Sequence, residues 1–573
     1  MINANKEKIQ SFFQGDLQYE IPFFQRAYVW KEENWEIFWD HLQTELESYK
    51  NNIKSEHFIG TIITKRKEER RLGDNVVELI DGQQRLTTIS LLLKAISDTS
   101  DGELEGLKNN INSLLYRTDN ANNKYLRIIP CRLDKDNYEM IMNSPATLNN
   151  KQESQIILAY KYFVEKIKNY SDGERDILYN ILLNRLPVIS MLLDSNDDEQ
   201  EIFDTINSLG VRLTIGELLK NYIFKEESLK DLYGDYWQKV FELDEEQVKF
   251  WLTERTSGRV KRDNMELLLY CFLIIETRKE VRLENLLKEY KSYLNNKTTE
   301  EKKAILKRLK DMAETYFLWP QKNDINEIAF QEEEKRFFHV LENLEITTIF
   351  PLVLYLYKRI ENDSERLKAF KILESYVTLR LICKLSTKNY NNLFIQIIRA
   401  LDKIQEVTVN DIKAILKNYD DDTNRIPSKH EIIGAFKNSK LSNKQANEIL
   451  FIIALKDIDT NFNDIKKLSA NSYSVEHMMP KKWEENWNSV QLDDLQRYHR
   501  NQKLLTLGNL TLITRNLNSK LKNDAWENKK KTLKEYSSLK ITTDYLSFDE
   551  WNENRIEQRA EDLAQKAIDI WKI

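Results

Sequence analysis

NVVELIDGQQRLTTISLLLKAI, residues 75–96, decides how the N-terminal part of this chain reads. NVVELI (75–80) reads as a strand rich in Val, Leu and Ile. Asp81-Gly82-Gln83-Gln84-Arg85 follows it directly, and LTTISLLLKAI (86–96) reads as a helix. Strand, glycine-containing turn and helix together set backbone N–H groups and a helix N-terminus beside a bound anion. Gly82 lets the backbone approach a phosphate closely. Arg85 can fork onto phosphate oxygens, Thr87 and Thr88 can donate at the helix start, and Asp81 can hold Mg²⁺ or a water. No Gly-Lys-Ser/Thr occurs in this window, so it is not a Walker A loop. Taken alone, a glycine turn with a surface arginine is common.

Outward from this stretch the pattern is mixed α/β. LQYEIP (17–22) reads as a short strand, and HFIGTIITKR (57–66) as a strand forming a hairpin with 75–80 through Gly73-Asp74. Lys31 to Tyr49 carries Trp35, Phe38, Trp39 and Leu42 at helical spacing, with both tryptophans read as core. LPVISMLL (186–193) is a further strand. Residues 199–226 read as two helices broken at Ser208-Leu209-Gly210, with Gly210 at a left-handed cap and Thr214 and Glu217 at capping-box spacing. From 259 to 433 there is no glycine, and apolar residues recur at three and four, as in a helical bundle or connector. The expected fold is α+β and predominantly helical, divided as 1–228, 229–440 and 441–573.

Composition bounds the function classes. Only 13 Gly and 8 Pro occur in 573 residues, well under the roughly 12% usual for the pair, which excludes collagen-like and Pro/Gly-rich disordered chains. Charged residues at 31% and hydrophobic ones at 41% suit a folded core. Three widely spaced cysteines, Cys131, Cys271 and Cys383, exclude a Cys-x-x-Cys zinc site and suit a reducing, cytoplasmic setting. No apolar run approaches the roughly 20 residues that cross a bilayer. The net charge of −6 does not suggest a nucleic-acid binder, yet from Arg497 to Lys534 ten Lys/Arg face two acids. That local excess suits phosphate contacts, with Arg515, Lys520, Lys522, Lys529 and Lys530 the candidate DNA-binding residues.

The C-terminal segment holds the sharper chemistry. SYSVEHMMP (472–480) is a strand ending in Glu476-His477 before Pro480, LLTLGNLTLIT (504–514) is strand-like around Gly508, and Asn518 follows Asn509 by nine residues. Residues 515–535 read as helix, with a final helix from about 549. A β-β-α metal nuclease needs such pieces. A histidine deprotonates water for in-line attack on phosphorus, an acid or amide pair holds a divalent ion, and an asparagine braces the loop.

These residues resemble the HNH nuclease superfamily, in particular the GmrD-type C-terminal domain. Its pattern of Glu-His-Ile-x-Pro, Leu-Gly-Asn-Leu-Thr-Leu, Asn-Ser-x-x-x-Asn and Trp-plus-lysines is met by Glu476, His477, Pro480, Leu507 to Leu512, Asn518, Ser519, Asn523, Trp526, Lys529 and Lys530. The match runs on to Trp551, Ile556 and Arg559, with Met478 replacing the usual isoleucine. The resemblance implies a ββα-metal fold and Mg²⁺ or Mn²⁺. It makes His477 the general base, Glu476 and Asn518 metal ligands, and Asn509 the orienting residue, with His477, Asn509 and Asn518 the catalytic set.

The N-terminal part is similar to the GmrS-type domain, a ParB/sulfiredoxin-like α/β fold with the DGQQR signature. Tyr19, Ile21, Pro22, Gln25, Arg26, Tyr28 and Trp30, then Phe58 to Gly60 and Ile80 to Thr88, follow its order. So do Phe203, Asn207, Gly210, Leu213, Leu218, Lys220 and Asn221. Residues 374–394 resemble the family's connector, with Leu379-Arg380 where paired arginines are usual. The resemblance implies binding and hydrolysis of a nucleoside triphosphate by Asp81, Gly82, Gln83, Gln84, Arg85 and Thr87, with Gln25 and Arg26 nearby. A bracing role for Gln25 and Arg26, through buried hydrogen bonds, stands beside that one.

Together the two halves imply an NTP-regulated DNA endonuclease of the GmrSD type, a type IV restriction enzyme acting on modified phage DNA, with homo-oligomer formation open. A nucleotide-gated ParB-like DNA clamp with a structural HNH domain, and an NTPase acting on protein or RNA, are the competing expectations.

Overall fold

The computed structural model describes residues 4–22, 25, 27–53, 56–66, 75–100, 105–119, 122–145, 154–193, 214–257, 260–321, 325–459, 466–485, 487, 492–521 and 524–573. The chain divides into two compact units, Met1–Tyr233 and Gly234–Ile573. Each is described by itself.

In the first unit, strands β1 (Ala4–Lys8), β2 (Gln18–Glu20), β3 (Thr61–Arg66), β4 (Val76–Asp81), β7 (Ile128–Ile129) and β8 (Pro187–Leu193) form one mixed sheet in the order β1-β8-β3-β4-β2-β7. A small separate hairpin pairs β5 (Tyr116–Thr118) with β6 (Lys124–Leu126). The expected pairing of β3 with β4 is present and antiparallel, while Gly73 and Asp74 lie outside the described residues. Strand β3 starts at Thr61 rather than at His57, because Gly60 takes φ +115° and interrupts the extended backbone. Parallel neighbours on either side of that pair, β8 beside β3 and β2 beside β4, need helical crossovers.

Those crossovers cover the sheet. Helix α1 (Glu32–Lys50) buries Trp35, Phe38, Trp39 and Leu42, the face its spacing predicts. Helix α2 (Gln83–Thr99) is buried continuously from Leu86 to Ser97 and packs on α3 (Gln155–Ile167). A helix enclosed on all sides is the fixed centre of its layer, so the strand–turn–helix corner at Asp81–Arg85 is held by the core. Thr214 and Glu217 close their capping box through reciprocal bonds of 3.2 and 2.7 Å. Phe203, Asn207, Gly210, Leu213 and the break at 208–210 lie outside the described residues.

In the second unit the glycine-free stretch is mostly helical, including α4 (Glu333–Leu344) and α5 (Asp363–Ile382). It also holds β10 (Val260–Asp263), paired with β9 (Glu254–Ser257), and β11 (Glu327–Ala329), paired with β12 (Lys467–Ser469). Residues of the expected second and third segments share this unit. Helix α6 (Lys429–Asn438) packs on the last helix, and α7 (Asn443–Ile458) packs on β13 (Tyr473–His477). The C-terminal elements include β13, α8 (Asp494–Lys503), a 3₁₀ turn (Leu507–Asn509), β14 (Leu510–Thr514), α9 (Arg515–Leu521), α10 (Trp526–Tyr536) and α11 (Glu553–Ile570). Gly508 therefore lies in a turn and not in a strand. The single helix expected over 515–535 is two, with Ala525 extended at the cap of α10. Among the described residues, no helix is long and apolar enough to cross a membrane.

Candidate functional site

Strands β13 and β14 are antiparallel, with Glu476 opposite Thr511 and His477 opposite Leu510. The ladder ends at His477, and the chain beyond it is held by Asn509. Met478 N donates to Asn509 O (2.9 Å), and Met479 N donates to Asn509 Oδ1 (2.8 Å). Asn509 Nδ2 donates to Met479 O (2.8 Å) and Leu504 O (2.9 Å), while Trp551 Nε1 donates to Oδ1 (3.0 Å). The amide is fully buried and doubly satisfied on both its nitrogen and its oxygen, the arrangement of a loop brace. Trp551 stacks on Trp526 at 5.4 Å. Buried Arg559 of α11 donates to the carbonyls of Leu507, Gly508, Leu510 and Ile541.

His477 is half-buried. Burial, and then the charges of Lys481 and Lys529, push its imidazole down to about 4. The ring is therefore neutral at pH 7 and able to accept a proton. Glu476 is 8% exposed, and its carboxylate receives a bond from Lys529 Nζ. Lys529 is wholly buried and donates also to His477 O (2.8 Å). Burial pushes the Glu476 carboxyl up and the Lys529 ammonium down, and the charge of each opposes the shift of the other.

Lys529 was expected on DNA. It is sealed from solvent, so that expectation is corrected, and its reason is geometric: within KKK (529–531) it stands three residues from Trp526 and four from Leu533, on the buried face of α10. Lys530 also packs inward, donating to Phe548 O (2.8 Å). Arg515 and Lys520 are exposed, with Lys520 over the Tyr536 ring. Lys522 and Asn523 lie outside the described residues.

Asn518 Nδ2 donates to Ser474 Oγ (2.9 Å) and Val475 O (3.1 Å), tying α9 to β13. Of the two residues expected to hold a divalent ion, Glu476 does not fit one as arranged, because its carboxylate is already paired with Lys529, while Asn518 spends only its amide nitrogen in these two bonds. Among the described residues, no group of three His, Cys, Asp or Glu is placed to hold a metal.

At the N-terminal corner, Gly82 takes φ +96°, and a Cβ there would lie 2.9 Å from Ile62 Cγ1. Packing and backbone conformation both require glycine. Arg85 Nη1 donates to Thr61 O (2.8 Å) and stands 3.8 Å from Asp81 Oδ2. Gln84 is committed to the preceding loop, accepting from Val29 N (2.9 Å) and Trp30 N (3.3 Å) and donating to Ala27 O (3.3 Å). Gln25 Nε2 donates to Leu79 O (3.1 Å) and Ile80 O (3.4 Å), so it braces β4. Gln83 and Thr87 are buried, and Arg26 lies outside the described residues. Asp81, at the end of β4, and Arg85, in the first turn of α2, are part-exposed.

The comparison with known families covers both corners. Residues 9–224 match the GmrSD restriction endonuclease N-terminal domain, and residues 426–566 match the GmrSD restriction endonucleases C-terminal domain. A search of curated proteins found no match. The first span includes the Asp81–Arg85 corner and the second includes β13, Asn509 and Arg559. With both domains present in order, this chain belongs to the GmrSD restriction endonuclease family.

Proposed function

We propose that this chain is a type IV restriction endonuclease that hydrolyses phosphodiester bonds in DNA at the β13–β14 site, with modified phage DNA as its target and nucleoside triphosphate bound at Asp81–Arg85 as its regulator. The observation that carries the nuclease reading is His477: an imidazole kept neutral by burial, at the end of a strand, beside a loop fastened by Asn509. A water oriented by the ring loses its proton to a ring nitrogen while its oxygen bonds to phosphorus. The P–O bond to the departing ester oxygen breaks in line, and solvent protonates that oxygen. Exposed Arg515 and Lys520 suit phosphate contact. Mg²⁺ or Mn²⁺ is the ion the family resemblance implies.

The N-terminal reading rests on Arg85 and the first-turn N–H groups of α2, which suit an anion. Hydrolysis there would use water, since neither glutamine is a nucleophile.

The test is cleavage of modified and unmodified DNA with each NTP, in Mg²⁺, Mn²⁺ or chelator, by the parent, His477→Ala and Arg85→Ala. Loss of cutting in His477→Ala and loss of the NTP response in Arg85→Ala are expected. A His477→Ala variant that cuts like the parent makes the catalytic assignment wrong. Cutting indifferent to both modification and nucleotide sinks the restriction reading. If Arg85→Ala loses DNA binding while His477→Ala shows no defect, the chain is a nucleotide-gated DNA clamp instead.

A further inference from the structure

We propose that Lys529, and not a divalent ion, is the resident counter-ion of Glu476, and that this ion pair is the positioning device that aims His477. The inference rests on the reading of His477 as the nuclease base.

The geometry supports it from three sides. Lys529 Nζ comes from α10, is wholly buried, and reaches both residues at the end of β13: the Glu476 carboxylate and the His477 main-chain carbonyl (2.8 Å). A buried ammonium without acceptors would be costly, so its two partners fix where it sits, and it in turn fixes them. Second, the imidazole of His477 has no hydrogen-bonding side chain among the described residues, so no carboxylate orients the ring as in a catalytic triad. Its direction is set through the backbone, by Lys529 at the His477 carbonyl and by Asn509 at Met478 and Met479. Third, the Lys529 ammonium already occupies the Glu476 carboxylate. A second cation placed at the Glu476 carboxylate would have to sit within contact range of the ammonium, and like charges at that separation in a buried site repel strongly.

The pair differs from a metal ligand in what its removal does. Loss of a ligand weakens metal binding. Loss of a positioning contact slows the chemical step at saturating metal and leaves metal and DNA affinity in place. A displacement of about 1 Å in a reacting group lowers the rate roughly 100-fold.

The experiment uses the full chain as parent, Lys529→Met, Glu476→Gln, the double variant, and His477→Ala. Three quantities are read: kcat and KM for DNA cleavage in saturating Mn²⁺, direct Mn²⁺ binding by electron paramagnetic resonance, and the melting temperature. Lys529→Met and Glu476→Gln are each expected to lose kcat roughly 100-fold. KM and Mn²⁺ affinity should stay near parental values in both. The double variant removes both charges with near-isosteric side chains, so it is expected to melt close to the parent yet cut no faster than the slower single variant. It carries the test if a single variant fails to fold. A folded double variant cutting at the parental rate overturns the inference. So does a Glu476→Gln variant whose Mn²⁺ affinity falls tenfold or more, since Glu476 is then a ligand. His477→Ala separates the two readings: if it cuts like the parent, the nuclease assignment fails by itself, whereas an inactive His477→Ala beside a fully active Lys529→Met rejects this inference alone.

Discussion

Gly508 and Gly173 make opposite demands on the same substitution. A Cβ on Gly508 would lie 2.2 Å from Ile556 O and 2.9 Å from Ala560 Cβ, so α11 would have to move. A Cβ on Gly173 meets nothing within 4 Å. Gly508→Ala is therefore expected to cost about 2–3 kcal/mol and Gly173→Ala to change stability by less than about 0.5 kcal/mol, both read from denaturant melts. His477 gives a second expectation. Its base form is the neutral ring, present above its pKa and lost as pH falls through it. Burial lowers that pKa to about 4, so kcat/KM should hold level from pH 7 through 6 and fall only as pH drops through about 4. An imidazole of ordinary pKa would already have lost half its rate near 6.5. The candidate residues could be named from the sequence, but their partners could not. An amide such as Gln84 can equally hold a ligand or a loop, and sequence does not record that Val29, Trp30 and Ala27 take it up. Lys529 was misread because a triple-lysine run looks solvated until its phase against Trp526 and Leu533 is counted.

At the scale of elements, α11 clamps the 3₁₀ turn that carries Asn509. Its Arg559 guanidinium, pushed down to about 10 by burial and so still charged at pH 7, reaches four main-chain carbonyls. Removing the guanidinium leaves those acceptors dry, so Arg559→Met should cost about 3 kcal/mol or more, read as a lowered melting temperature. Arg559→Lys should recover little, because an ammonium cannot span the fork. Elements with strong local patterns were legible: α1 from its tryptophan spacing, β4 and α2 from the turn between them, β13 from SYSVEHMMP. Elements defined by distant partners were not. Strand β11 has three residues and pairs with β12 far along the chain, which no local periodicity marks. Gly508 broke the expected strand because its packing against Ile556 fixes a turn there.

Across the whole molecule, the second unit joins what the sequence suggested were two pieces. Lys503 Nζ donates to Lys437 O (3.2 Å) and Asn438 Oδ1 (3.0 Å), and Trp571 Nε1 donates to buried Glu374 Oε1 (3.0 Å). The same Glu374 pairs with Arg336 at 3.1 Å. A fragment 441–573 loses α5 and α6 and with them these partners, so it is expected to express as an aggregating or poorly folded chain. Fragment 234–573 should give one cooperative transition by calorimetry. The order of synthesis gives this arrangement a further consequence. The strands bearing His477 and Leu510 leave the ribosome before Trp551 and Arg559, the residues that fasten the loop between them. A growing or interrupted polypeptide thus carries His477 without the partners that fasten the neighbouring Asn509 turn, and the C-terminal domain of this restriction endonuclease is completed only after translation has passed α11.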